Sequence, residues 1–263
     1  MEPVSVRKGS SPLVLAQPHS GTWLPDEVHA SLNQTGRAVL DTDWRIPELY
    51  EGLAPDASIV CANFSRYVID ANRPPDGASL YPGQNTTGLV PLNTFDDIPI
   101  WVVEPDELEI ERRRAAYHAP YHAALAQELE RVHAEHGFAI LYDCHSIRSH
   151  VPYLFEGTLP DLNIGTNSGA SCARAIERAV AEECAASDDF TSVLNGRFKG
   201  GWTTRHYGQP SARIHAIQME IAQSAYLENE APPFALSPEK SARLRALLAR
   251  VLDAIQSTFG DLK

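Results

Sequence analysis

Phe138-Ala139-Ile140-Leu141-Tyr142-Asp143-Cys144-His145-Ser146 opens as an unbroken apolar run of strand length and ends in polar side chains. A run without polar alternation reads as a strand buried on both faces, the mark of a central strand in an α/β sheet. A histidine at the end of such a strand stands at the carboxyl edge of the sheet, where α/β enzymes keep their chemistry. Leu13-Val14-Leu15-Ala16, followed by Gln17-Pro18-His19-Ser20-Gly21, repeats the arrangement. Ile214-His215-Ala216-Ile217-Gln218-Met219-Glu220-Ile221 is a third such run, and it carries a glutamate inside it. A carboxylate is costly to bury without partners, so Glu220 points to a site at the end of that strand.

Around these runs, strand-like and helical patterns alternate, which predicts an α/β fold. Expected strands are Leu13–Gln17, Ser58–Asn63, Phe138–Tyr142, Tyr153–Phe155 and Ile214–Ile221. Expected helices are Trp44–Glu51, Pro105–His136, Ser168–Ala185 and Ser237–Phe259. The last has clear punctuation: Ser237 as N-cap, Pro238 at the first helical position and Gly260 just past the end. Pro120 is expected to kink or split its helix. The stretch from Arg73 to Pro105, rich in Pro, Gly, Asn and Asp, is long for a bare connection and reads as a binding loop or lid. With no repeat, low-complexity tract or linker, residues 1–263 are expected to form one domain.

The chain is 43% hydrophobic and 21% charged, enough for a substantial core. Its net charge of -12, from 22 basic and 34 acidic residues, argues against nucleic-acid binding, which needs a basic footprint. No apolar run approaches the ~20 residues of a membrane helix. The polar segment Met1–Ser11 lacks the core of a signal peptide, so a cytoplasmic address is expected. Cys61, Cys144, Cys172 and Cys184 form no C-x-x-C pair and fit a reducing compartment.

Two strand-end histidines and one carboxylate make the ligand set of a catalytic zinc, with a fourth position for water. Asp41 and Asp43 compete for the carboxylate, and Asp43 also precedes a helical pattern it could cap. Asp143 falls on the same side of an extended segment as His145, as a hydrogen-bond acceptor for a ligand histidine or a fourth ligand. A Cys144–His145 nucleophile pair is disfavoured, because adjacent residues on a strand point to opposite faces. Neither a G-x-S-x-G elbow nor an H-E-x-x-H helix occurs, and the pairs His118/His122 and His133/His136 read as packed or solvated. A metal hydrolase needs a base for the attacking water, and Glu220 is the candidate. Arg66, Arg73, Arg205 and Arg213 lie near these segments. Arg66 and Arg73 bracket Tyr67–Asn72, and in an acidic protein that clustering predicts a small anionic substrate held by guanidinium forks.

Several multi-residue segments agree, in order, with one family. They are His19-Ser20-Gly21, Asp41-Thr42-Asp43-Trp44, Ser65-Arg66-Tyr67-Val68-Ile69-Asp70-Ala71-Asn72-Arg73-Pro74, Gln84-Asn85-Thr86-Thr87-Gly88-Leu89, Asp143-Cys144-His145-Ser146, and Gly200-Gly201 through Thr204-Arg205-His206-Tyr207-Gly208 to Gln218-Met219-Glu220. Over residues 13–222 the chain resembles the N-formylglutamate amidohydrolases. The resemblance implies a single α/β/α domain around a mixed sheet, like that of zinc carboxypeptidases. It implies one zinc per subunit on His19, Asp43 and His145, and hydrolysis of N-formylglutamate to glutamate and formate in histidine breakdown. It makes Glu220 the counterpart of the carboxypeptidase base and Arg66 a second catalytic group. Substrate contacts are expected from Arg66, Asn72, Arg73, Arg205 and His206. In the carboxypeptidases the first histidine is followed three residues later by a glutamate ligand; here that position is Thr22. A zinc amidase for another N-acyl amino acid, and a non-catalytic metal- or carboxylate-binding protein on the same scaffold, are the alternative readings.

Overall fold

The chain's three long apolar runs lie side by side at the centre of one mixed seven-stranded sheet. A computed structural model describes residues 1–79, 83 and 85–262. Its strands are β1 (Val4–Arg7), β2 (Leu13–Gln17), β3 (Ser58–Ala62), β4 (Ala139–Ile147), β5 (Leu162–Gly165), β6 (Ser192–Leu194) and β7 (Ile214–Ala222), in the order β1-β3-β2-β4-β7-β5-β6. The four central strands β3, β2, β4 and β7 are parallel, so their carboxyl ends share one edge. β1 joins β3 antiparallel, and β5 joins β7 antiparallel and carries β6 parallel to itself.

The helices are α1 (Asp26–Ser31), α2 (Gln34–Arg37), α3 (Ile46–Tyr50), α4 (Glu107–Arg113), α5 (Ala119–His136), α6 (Arg174–Ala185), α7 (Trp202–Tyr207) and α8 (Pro238–Ser257). The period of two along the central strands sorts side chains between two cores. Leu13, Leu15, Ile140, Tyr142, Cys144, Ile217, Met219 and Ile221 face α3, α6 and α8. Val14, Ala16, Leu141 and Ala216 face α5 and the chain that follows β3. On β4 and β7 the second row continues as Asp143 and His145 beside Gln218 and Glu220, paired in register. The polar row at the strand ends is therefore an extension of an apolar one.

Several expectations are corrected. Tyr153–Phe155 is a turn. Its Leu154 and Phe155 pack with Phe95, Ile147 and Phe198 into a small separate cluster. The helix expected from Ser168 begins only at Arg174, because Asn167, Ser168 and Gly169 all have positive φ, which no helix accepts. The helix expected over Pro105–His136 runs on through Pro120, with a π-helical segment at Arg114–His118 immediately before it. The wider turn accommodates a proline ring that would otherwise meet the carbonyl one turn back. Gly260 lies inside a 3-10 turn, Thr258–Leu262, rather than just beyond the helix. The short strands β1, β5 and β6 and the helices α1, α2 and α7 carry too little pattern to be read from sequence. Among the described residues, no helix or strand occurs between β3 and α4.

Candidate active site and metal centre

Each of the four parallel strands delivers a part of the site at or just past its carboxyl end. β2 ends at Gln17, and Pro18 turns the chain so that His19 lies 3% exposed above the strand ends. The following turn carries Val39 and Arg45 in the left-handed region and is pinned by the Asp43 amide donating to the His19 carbonyl, 3.0 Å. Asp43 is thereby brought against both histidines. Its Oδ2 is 3.1 Å from His145 Nδ1 and 3.7 Å from His19 Nδ1, and it also accepts from the Ser146 amide at 3.1 Å. One ligand-type atom from each of His19, Asp43 and His145 lies within 4.8 Å of the others, and all three residues are buried.

Carboxylates surround both imidazoles. His19 Nε2 lies 2.7 Å from Asp70 Oδ1. A carboxylate only accepts, so Nε2 carries the hydrogen and the Nδ1 lone pair faces Asp43. His145 Nε2 lies 3.1 Å from Asp143 Oδ1, and its Nδ1 lies 3.1 Å from Asp43 Oδ2, at the same point. Backing of ligand histidines by carboxylates is the usual support of a metal site. Asp43 Oδ1 is buried and has no hydrogen-bond partner. Two imidazole nitrogens and a buried carboxylate converging on one point fit a divalent cation of zinc type. Burial alone would raise the Asp43 carboxyl, but His19 and His145 outweigh it and hold the group well below the usual carboxylate range.

Asp41 does other work. Its Oδ2 accepts from the Tyr67 hydroxyl at 2.7 Å and the Phe95 amide at 2.8 Å, away from the histidines. Burial raises its carboxyl.

Glu220 is 8% exposed and stands beside His145 in register on the neighbouring strand. Gln218 Nε2 donates to its Oε2 at 3.2 Å. Burial pushes the Glu220 carboxyl up, to about 8, against the opposing pull of His145. A carboxylate made more basic by its surroundings is suited to taking a proton.

Past the end of β3, Arg66 donates to Asp70 Oδ2 at 2.7 Å and lies 3.8 Å from Asp43 Oδ1. Its guanidinium sits 4.8 Å from the centre of the Phe95 ring, and its Nε is buried without a partner. Asp70, fully buried, also accepts from the Asn72 amide at 2.8 Å. Arg73, His19 and Arg66 hold its carboxyl well below the usual range despite the burial that raises it. Asn72 Nδ2 is 3.1 Å from His145 Nε2, and its Oδ1 accepts from the Thr203 amide at 2.8 Å. Asn72 packs directly on Gly201, where an added Cβ would lie 2.3 Å from Nδ2. The Ala71 and Arg73 carbonyls are held by His122 Nε2 at 2.8 Å and His118 Nε2 at 3.0 Å. The histidine pair read as packed or solvated is thus packed in support of the arginine-bearing turn.

These groups line one cleft. His19, Asp43, Arg66, Asn72, Arg73, His145 and Glu220 share it with Asn85–Thr87 and an apolar wall of Phe95, Ile147, Leu154 and Phe198. The long Arg73–Pro105 segment therefore contributes to the cleft, although Gln84 of its motif lies outside the described residues. Arg205 and His206, expected as substrate contacts, are not among the lining residues. Arg205 Nε donates to the Gly200 carbonyl, and His206 stacks on Trp202. Sequence reasoning missed Asp70 and Arg197, which also borders the cleft. Asp70 had a signal, standing four residues after Arg66 and three before Arg73; Arg197 lies in no apolar run and had none.

Comparison with known proteins agrees on one family. The sequence profile of N-formylglutamate amidohydrolase matches residues 11–227. The chain is 46% identical over 257 residues to an N-formylglutamate deformylase of Pseudomonas aeruginosa, spanning 97% of this chain and 96% of that one. It is 44% identical over 256 residues to the enzyme of that name from Pseudomonas putida, spanning 96% and 95%. Its fold is similar to the crystal structure of N-formylglutamate amidohydrolase from Ralstonia eutropha JMP134, with a TM-score of 0.82, 25% identity and 97% of each chain covered. A gene product of Agrobacterium tumefaciens shares the fold at a TM-score of 0.75 and 17% identity, with 98% of this chain and 96% of that one covered.

Proposed function

The chain belongs to the N-formylglutamate amidohydrolase family, and we propose that it hydrolyses N-formyl-L-glutamate to L-glutamate and formate with one zinc ion held by His19, Asp43 and His145. The observation that carries this reading is the meeting of those three buried ligand groups with Glu220 at the edge of a cleft bordered by arginines.

When bound, the ion would acidify a water molecule and polarise the formyl carbonyl. Glu220 accepts the proton of the attacking water and later delivers it to the leaving nitrogen of glutamate. Its buried position beside His145 keeps it basic and within the same cleft. Arg66, anchored by Asp70 and with its Nε unpartnered, offers a hydrogen bond to the oxyanion that develops on the formyl oxygen. Asn72 orients the substrate over His145, and Arg73 pairs with the α-carboxylate. Asp70 holds His19 through Nε2 and leaves its Nδ1 toward Asp43, while Asp143 lies 3.1 Å from His145 Nε2.

No helix among the described residues is long and apolar enough to cross a membrane. The four cysteines are unpaired, which supports a reducing, cytoplasmic setting. The test is formate release from N-formyl-L-glutamate by the purified protein, before and after exhaustive chelation, with zinc added back. Loss on chelation and recovery with zinc is expected. Full activity in metal-free protein would overturn the mechanism, and absence of formate release from zinc-loaded protein would overturn the substrate.

A further inference from the structure

We propose that Arg197 is the specificity residue for the side-chain carboxylate of the substrate, and this rests on the reading of the substrate as an N-formyl dicarboxylic amino acid. Three arginines border the cleft: Arg66, Arg73 and Arg197. Arg66 is committed to Asp70 and Asp43 at the ligand end, where the formyl group must sit. Arg73 adjoins Asn72, which touches His145, so Arg73 stands beside the reacting end. A substrate with two carboxylates needs a second cation further out, and Arg197 is placed to supply it.

The placement follows from one short strip of chain. Arg73 Nε donates to the Thr87 carbonyl at 2.9 Å, and its NH2 to the Thr87 hydroxyl at 2.8 Å. Arg197 donates through NH2 to the Asn85 carbonyl at 3.2 Å. The two arginines therefore grip carbonyls two residues apart, at most about 7 Å along the chain. The Asn85–Thr87 strip between them also borders the cleft. The two guanidinium groups thus anchor on one short strip of the cleft wall, an arrangement that suits a substrate with two carboxylates. Arg197 is further oriented by donating from Nε to the Leu154 carbonyl at 2.9 Å and by lying 5.4 Å from the centre of the Phe198 ring. A guanidinium has five N–H donors in a planar fork, so it can hold loop carbonyls and a carboxylate together. Leu154 and Phe198, which flank it, also border the cleft and offer apolar surface to the intervening methylenes.

The experiment compares kcat/KM of the zinc-supplied wild type, Arg197→Met and Arg197→Lys on N-formyl-L-glutamate and on N-formyl-L-norvaline, which carries a methyl group in place of the distal carboxylate. Calorimetric titration of the same proteins with glutarate and with butyrate gives a readout that needs no turnover. Wild type should favour the glutamate substrate by roughly 10²-fold or more. Arg197→Met should remove most of that preference, its loss on the glutamate substrate exceeding its loss on the norvaline substrate by roughly tenfold or more. Arg197→Lys should fall between them. Glutarate binding should weaken roughly tenfold or more in Arg197→Met with butyrate little changed. A common loss on both substrates, which a purely loop-tying role gives, would overturn the proposal, as would an intact preference in Arg197→Met. Wild type that binds glutarate through Arg197 yet releases no formate would sink the substrate reading alone and leave the carboxylate site standing.

Discussion

Asp41 and Asp43 stand two positions apart in one turn and face different partners. Asp43 presents its Oδ2 to both imidazole Nδ1 atoms, whereas the Oδ2 of Asp41 is taken by a phenol and a backbone amide away from them. Asp43→Ala is expected to lower bound zinc severely in an elemental assay of the purified protein. Asp41→Asn should keep zinc near wild type and instead loosen the loop at Phe95. Equal zinc in wild type and Asp43→Ala would remove Asp43 from the ligand set. Glu220→Gln separates binding from chemistry at the same scale. It preserves shape but cannot take a proton, so kcat should fall ~10²–10⁴-fold with zinc content unchanged. A Glu220→Gln enzyme turning over near the wild-type rate would send the search for the base elsewhere.

The two sheet faces divide labour between elements. α8 buries Leu244, Leu247, Leu248, Val251, Leu252 and Ile255 against α6 and the sheet face opposite the site. Leu248→Ala should cost about 2–5 kcal/mol of stability in urea unfolding, the usual cost of a core cavity. Its kcat/KM per folded molecule should stay near wild type; a large fall would mean that this face is mechanically coupled to the cleft. The start of α7 shows the opposite sensitivity. Gly201 has no side chain where Asn72 packs, so Gly201→Ala must displace the amide that touches His145 and the Thr203 amide. A displacement of ~1 Å at a positioning group costs roughly 10²-fold in rate, and that loss is expected in steady-state kinetics with little change in thermal midpoint. An unimpaired Gly201→Ala enzyme would show that Asn72 is not critical to orientation.

For the whole molecule, a buried histidine links stability to pH. His122 donates to the Ala71 carbonyl and packs edge-on against Trp202. Burial, with some help from His118, drives its folded-state value down to about 3. In the unfolded chain it returns to ~6.5, so between these limits the unfolded state binds more protons and stability rises with pH. The contribution is intact above ~6.5 and is lost progressively as pH falls towards 3. Urea midpoints measured from pH 7.5 down to pH 4.5 should decline. His122→Gln, which keeps a donor for the Ala71 carbonyl but cannot titrate, should show a shallower decline. Identical slopes for the two proteins would discount His122 as a source of acid sensitivity.

The apolar runs before His19 and His145, and the run holding Glu220, marked three buried strands and put chemistry at their carboxyl edge; their parallel pairing came from the structure. Continuous burial on both faces leaves an unbroken apolar run, and its short length and flanking turn residues favour a strand over a helix. β2 was legible to the residue, and α8 by its cap and period. Short edge strands and one-turn helices were not, since a few residues carry no period. Positive φ at Asn167–Gly169 and the π segment before Pro120 were also silent, because they answer to packing and sterics beyond the local window. The sequence marked His19, Asp43, His145, Glu220, Arg66, Asn72 and Arg73 as a set, but left Asp41, Asp43 and Asp143 competing on spacing alone. Only the tertiary structure decided which carboxylate faces both imidazoles, which ones back them, and that Arg197 rather than Arg205 or His206 borders the cleft. Those outcomes depend on where turns direct side chains from separate strands. A direction in space is set by long-range packing across the sheet, and residue type and spacing along the chain do not encode it.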